Sequence, residues 1–184
     1  LEPILIIIGV NLFVFVAVNI RPELIYSLGL VPYDILSQPW QVVTCMFTHY
    51  DFLHLFSNMY TLYFFGSSVL QLLGQKKFWL IYMVGGIMGS FFYLWLGQPS
   101  SVAIGASGAI FALGGALAVL RPNMKVFIFP IPVAMPLWAA ILGGFVLLSF
   151  VSNVAWQAHL GGMLFGLAAG YYYRRKGYQN IYYN

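Results

Sequence analysis

Residues 102–120 read VAIGASGAIFALGGALAVL, and residues 156–173 read WQAHLGGMLFGLAAGYYY. Neither stretch contains Lys, Arg, Asp or Glu. About 20 apolar residues in a helix, rising 1.5 Å each, cross the ~30 Å hydrocarbon core of a bilayer. Both stretches are close to that length, and each holds one residue with obvious chemistry, Ser107 in the first and His159 in the second. How these two segments pack decides the fold.

The rest of the chain has the same character. Of 184 residues, 61% are hydrophobic and only 7% charged. Soluble domains carry roughly 25% charge, so this chain lacks the polar surface that water requires. Disorder, a disulfide scaffold and nucleic-acid binding are all disfavoured. The formal net charge of +4 is not gathered in one patch, and the single cysteine, Cys45, has no internal partner. The class is an all-α polytopic membrane protein, helical because backbone polar groups in lipid must be satisfied within the segment. Leu1 in place of Met reads as a trimmed N-terminus, without a cleavable signal pattern. One membrane domain is expected over residues 1–184, with no extra domain and no seventh span.

Six spans are expected, over 4–20, 52–73, 78–96, 102–120, 136–151 and 156–173. Lys76, Lys77, Arg121, Lys125, Arg174, Arg175 and Lys176 then fall on one side and Arg21 on the other. By the positive-inside rule the seven-residue side is cytoplasmic, with both termini there, in a multi-pass protein of the cell membrane. The first outer loop, Arg21 to Asp51, is long, contains Pro22, Pro32 and Pro39, and carries apolar runs. It is expected to lie in the membrane interface. Asp51 is placed to cap span two.

Within the spans the notable polar residues are His54, Asn58, Ser107 and His159, with His49 just outside. Counting from Arg121 and Arg174 puts Ser107 and His159 at matching depths of about 21–22 Å. Asn58 lies somewhat higher, and His54 one helical turn above it on the same face. His159, Gly162, Gly166 and Gly170 form a stripe of small residues on span six, where close helix approach is possible. Ser107, Phe111, Gly114, Gly115 and Ala118 are expected to trace the matching face of span four.

These residues match a family. Gly105-Ala106-Ser107-Gly108 resembles the GxSG motif of rhomboid intramembrane serine proteases. Ala158-His159 followed by Gly162 and Gly166 is similar to the family's AHxxGxxxG. His49, His54 and Asn58 resemble its second-helix HxxxxHLxxN. Trp40 stands where the family's first outer loop carries a Trp-Arg pair, and Gln41 departs from the usual Arg. The resemblance extends from Ile4 to Tyr173 and implies the minimal six-helix rhomboid-like bundle.

The residues can be tested against the implied chemistry. Ser107, with Gly105 and Gly108 beside it, is the expected nucleophile, and His159 the base that takes and later returns its proton. The four acids are Glu2, Glu23, Asp34 and Asp51, none in span four or six, so a Ser-His dyad is expected rather than a triad. Phe111, one turn below Ser107, is placed to pack on the imidazole. The resemblance assigns His54 and Asn58, with the Ser107 backbone N–H, to oxyanion stabilisation, and the one-turn spacing agrees. Their alternative use is as glue between helices. His49 reads as a structural hydrogen-bonding residue, and Gly162 and Gly166 as helix-packing positions. The expected substrates are transmembrane segments of single-span or polytopic membrane proteins, cut near the outer face, where the active site opens. The partners are those proteins and the lipid bilayer, without nucleic acid. No cofactor is expected, and no metal, because no HExxH pattern or acidic ligand accompanies the histidines. The main competing reading is an inactive relative that binds membrane clients. A transporter fits poorly, since the spans hold no charged pathway residue.

Overall fold

The computed structural model of the chain describes residues 1–128, 131–151 and 154–177. Among these residues there are eight α-helices: α1 Glu2–Ile20, α2 Leu24–Leu28, α3 Gln41–Thr44, α4 Phe52–Leu73, α5 Gln75–Leu96, α6 Ser107–Leu120, α7 Leu137–Ser149 and α8 Trp156–Arg175. The six longer ones coincide with the six apolar stretches of the sequence. By length and composition α1 and α5 are each long and apolar enough to cross a membrane, while α6 and α7 are apolar but shorter. Asp51 caps α4, its carboxylate accepting from the His54 backbone N–H at 2.8 Å. Gly74, at φ +79°, makes the tight link from α4 to α5, a conformation that side chains disfavour. Helix α5 therefore starts at Gln75, and Lys76 and Lys77 lie inside its first turn instead of preceding it.

Residues 102–106, expected within the fourth span, are not helical, and α6 starts at Ser107. The physical cause is local. The Ala103 N–H and C=O both bond Leu30, at 2.9 and 2.8 Å, and the Gly105 N–H bonds the Cys45 carbonyl at 2.9 Å. These groups are satisfied by the first loop, so a helix would gain nothing by claiming them. Gly105 also takes φ +116°, outside the helical region. The result is a 14-residue α6 with Ser107 at its first position.

Helix α6 runs through the core: Ala106, Ala109, Ala112, Leu113, Ala116 and Leu117 are fully buried. Its closest neighbour is α8. A Cβ on Gly162 would strike the Gly108 carbonyl, and one on Gly166 the Ala112 carbonyl; one on Gly170 would sit 2.7 Å from the Ala116 oxygen. The stripe on α8 is therefore the one the sequence marks, but its counterpart on α6 is Gly108, Ala112, Gly115 and Ala116. Gly114, expected on that face, instead meets Ile141 of α7 and Phe65 of α4. A residue two positions from Ala112 lies about 200° around the helix, so Gly114 cannot share its face.

A second departure from the all-helical expectation lies between α6 and α7. Strands β1 (Lys125–Ile128) and β2 (Ile131–Pro136) form an antiparallel hairpin, with Lys125 opposite Pro136 and Val126 opposite Met135. The sequence reads there as a Pro-broken loop. In a two-stranded sheet both strands are edges, so proline removes no necessary ladder bond. The hairpin tip, two residues of the α7–α8 connection and residues 178–184 lie outside the described residues.

The first loop is not a plain loop. It contains α2, α3 and two 3₁₀ turns, Pro32–Asp34 and Cys45–Phe47. Its backbone pairing with residues 103–105 ties it to the start of α6.

Candidate active site

Ser107 occupies the N-terminus of α6, where the first backbone N–H groups have no intrahelical acceptor and the helix dipole is positive. His159 lies in the first turn of α8 and is 4% exposed. The Gly108–Gly162 approach holds the two helix starts together, and His159 Nε2 lies 2.7 Å from Ser107 Oγ. The other ring nitrogen, Nδ1, is buried without a hydrogen-bond partner among the described residues. Accepting the serine proton at Nε2 requires the neutral ring to carry its own proton on Nδ1. Phe111 stacks on the imidazole with ring centres 4.6 Å apart and planes at 25°, which fixes the ring's tilt. Among the described residues no carboxylate hydrogen-bonds His159; Asp51 is engaged in the α4 cap and Glu23 pairs with Arg21 at 3.1 Å.

The remaining expected residues surround the serine. The His54 ring presses on Gly105 so closely that a Cβ there would sit 2.7 Å from Nε2. Gly105 thus meets two demands at once, positive φ and room for a ring. Asn58 is 6% exposed, and its Nδ2 donates to the His54 carbonyl at 2.8 Å, leaving its second N–H for another acceptor. Among the described residues neither His54 nor Asn58 hydrogen-bonds Ser107 or His159 directly. His49 is fully buried, contacts the His54 ring edge-on at 4.9 Å, and accepts from the Ala106 N–H at 3.4 Å. Burial pushes the His49 pKa down to about 3, so this acceptor is neutral. It steadies the peptide that immediately precedes Ser107. Among the described residues no three of His, Cys, Asp and Glu are grouped to hold a metal ion.

A small cavity opens beside Ser107, bordered by Gly105, Met46, Ser90, Ala155 and Ala158. Ser90 of α5 is a site neighbour that the sequence reading passed over. Its hydroxyl is buried and donates to the Val42 carbonyl at 2.8 Å, fastening the first loop to α5. Its signal was available: a hydroxyl beside Gly85, Gly86 and Gly89 in an otherwise apolar stretch. Ala112 and Ala116 were also missed, because alanine on a buried helix carries no mark of which face it serves.

A helical membrane protein with a half-buried serine in hydrogen-bond contact with a buried histidine is the class these features define. The family model "Rhomboid domain" matches residues 36–176. Rhomboid protein 1, mitochondrial, of Saccharomyces cerevisiae is 33% identical over 158 residues, covering 76% of this chain and 43% of that protein. Presenilin-associated rhomboid-like protein A, mitochondrial, of Danio rerio is 33% identical over 135 residues, covering 68% of this chain and 35% of that protein. RHOMBOID-like protein 5 of Arabidopsis thaliana is 33% identical over 134 residues, covering 72% and 43% respectively. The chain belongs to the rhomboid family. It spans less than half the length of these relatives.

Proposed function

We propose that this protein is an intramembrane serine endopeptidase that cuts transmembrane segments of other membrane proteins through a Ser107–His159 dyad. The observation that carries this reading is the 2.7 Å contact between Ser107 Oγ and His159 Nε2 at the start of α6. His159 takes the hydroxyl proton as Ser107 attacks the scissile carbonyl, then delivers it to the leaving amine. Water hydrolyses the resulting acyl-enzyme by the same route in reverse. The oxyanion forms over the N-terminus of α6, where the Ser107 N–H, the His54 ring and the free Asn58 N–H are the available donors. Each such donor is typically worth ~10²–10³ in rate. Without a carboxylate on Nδ1, orientation of the imidazole falls to the Phe111 stack.

In this reading α1, α4, α5, α6, α7 and α8 are the six spans. The end bearing Lys76, Lys77, Arg121, Lys125 and Arg174 to Lys176 faces the cytoplasm with both termini. The catalytic pair then lies below the outer surface, and the first loop rests in the outer interface. The experiment is cleavage of a tagged single-span protein in detergent by the wild type and by Ser107→Ala. Cleavage by the first and not the second supports the reading. Equal cleavage by both contradicts it, and binding without cleavage by the wild type favours the client-binding alternative.

A further inference from the structure

Gln41 is fully buried, although a glutamine has four hydrogen-bonding positions to satisfy. Its Nε2 donates to the Tyr26 carbonyl at 2.9 Å, and its Oε1 accepts from the Val31 N–H at 3.0 Å. The context gives these bonds a purpose. Helix α2 ends at Leu28, and the last four carbonyls of a helix have no intrahelical partner. Here the Ile25 carbonyl takes the Gly29 N–H, and three side chains from or beside α3 take the others. Trp40 Nε1 donates to Ser27, Gln41 to Tyr26, and Thr44 Oγ1 to Leu28 at 2.6 Å. Gln41 also reaches past the end of α2, accepting from the Val31 N–H.

Val31 follows Leu30, and Leu30 forms the two-bond pair with Ala103 that helps keep residues 102–106 out of the helix. Shortly after Ala103 the chain enters α6 at Ser107. On the other side, α3 runs into the Cys45–Phe47 turn, whose Cys45 carbonyl holds the Gly105 N–H at 2.9 Å. Gln41 therefore sits where the two strands of support for the serine turn begin.

We infer that Gln41 is a positioning residue: its bonds to Tyr26 and Val31 fix the first loop against residues 103–105 and thereby set where Ser107 stands relative to His159. The chemistry also accounts for the departure from the family's usual Arg. Guanidinium has donors only, so an Arg here bonds a carbonyl but cannot accept from Val31. The inference rests on the proposed protease activity for its kinetic consequence, while its structural part stands apart from it.

The test uses two substitutions in the full chain. Gln41→Met keeps the volume and removes both bonds. Gln41→Glu, with its buried carboxyl protonated, has one O–H and one acceptor and reproduces both. Burial raises a carboxyl pKa, so this rescue grows as pH falls from about 8 to about 5. The elements packed most against α3 are α2, α5 and the Cys45–Phe47 turn. Their ionisable groups are Tyr26, Lys76, Lys77, Tyr82, Tyr93 and Cys45, without a carboxylate or imidazole. Gln41→Met is expected to lower kcat by roughly ten- to hundredfold with KM nearly unchanged, the scale of a small misplacement of a reacting group. Gln41→Glu is expected to approach the wild-type rate at the acid end only, taken as a ratio to wild type at each pH. Hydrogen exchange is expected to quicken at Leu30, Ala103 and Gly105 in Gln41→Met and to stay slow within α6 and α8. Wild-type exchange and kinetics in Gln41→Met, or a Gln41→Glu ratio that stays as low as that of Gln41→Met at every pH, overturns the inference. If the wild type itself cuts nothing, the protease reading fails, and the exchange experiment still decides the role of Gln41.

Discussion

Replacing Gly162 with alanine adds one carbon at the tightest point between α6 and α8. Its Cβ would lie 2.8 Å from the Gly108 carbonyl carbon and nearer still to the oxygen. Ordinary carbon contacts begin at about 3.5 Å, so the two backbones must part by roughly 0.7 Å or more. No rotamer can absorb this, because both sides are main chain. The same two helix starts carry Ser107 and His159, and adding that displacement to their 2.7 Å contact leaves them at the edge of hydrogen bonding. Overpacking costs about 1–3 kcal/mol in stability. Misplacing reacting groups by about 1 Å can cost ~10² in rate. Gly162→Ala is thus expected to lower kcat about a hundredfold while unfolding somewhat earlier in a denaturant titration. The assay is cleavage of the tagged single-span substrate beside that titration. A variant that keeps wild-type kcat and stability refutes the claim that this contact sets the serine–histidine distance.

The same geometry has three further consequences. Phe111→Ala removes the ring stacked on His159 and is expected to reduce kcat by about two- to tenfold, from a stacking contribution of ~0.5–1.5 kcal/mol, with KM held; steady-state kinetics reads it. Asp51→Ala removes the α4 cap and is expected to destabilise the protein by about 0.5–2 kcal/mol in denaturant unfolding. His49 has a folded pKa of about 3 against an ordinary 6.5, so between these values the unfolded chain binds more protons. Stability from this residue is complete above pH 6.5 and is lost as pH falls toward 3. His49→Gln, which keeps an acceptor for Ala106, is expected to lose less stability on acidification than the wild type, measured by unfolding across that range.

The helical stretches were legible because long uncharged segments leave few alternatives, and the α8 glycine stripe was legible because glycine marks close approach. Ser107 and His159 stood out as polar exceptions in such segments. The start of α6 was not legible: VAIGA is as apolar as the helix after it, and it is kept out of the helix by pairing with Leu30 and Cys45 of the distant first loop. On the α6 face Ser107, Phe111 and Gly115 do meet α8, and Gly114 does not, for a related reason. Glycine marks Gly114, whereas Ala112 and Ala116 meet α8 with their buried carbonyls. The loop's order was hidden in its side chains, since Gln41, Thr44 and Ser90 act on carbonyls that no spacing rule connects to them.

In the proposed mechanism His159 activates Ser107 without help from an acid. A serine-directed phosphonate reports this activation directly, because it needs no natural substrate. The expected result is labelling of the wild type at Ser107, located by peptide mass spectrometry, and its loss in both Ser107→Ala and His159→Ala. Labelling that persists in His159→Ala, or that falls on another residue, contradicts it.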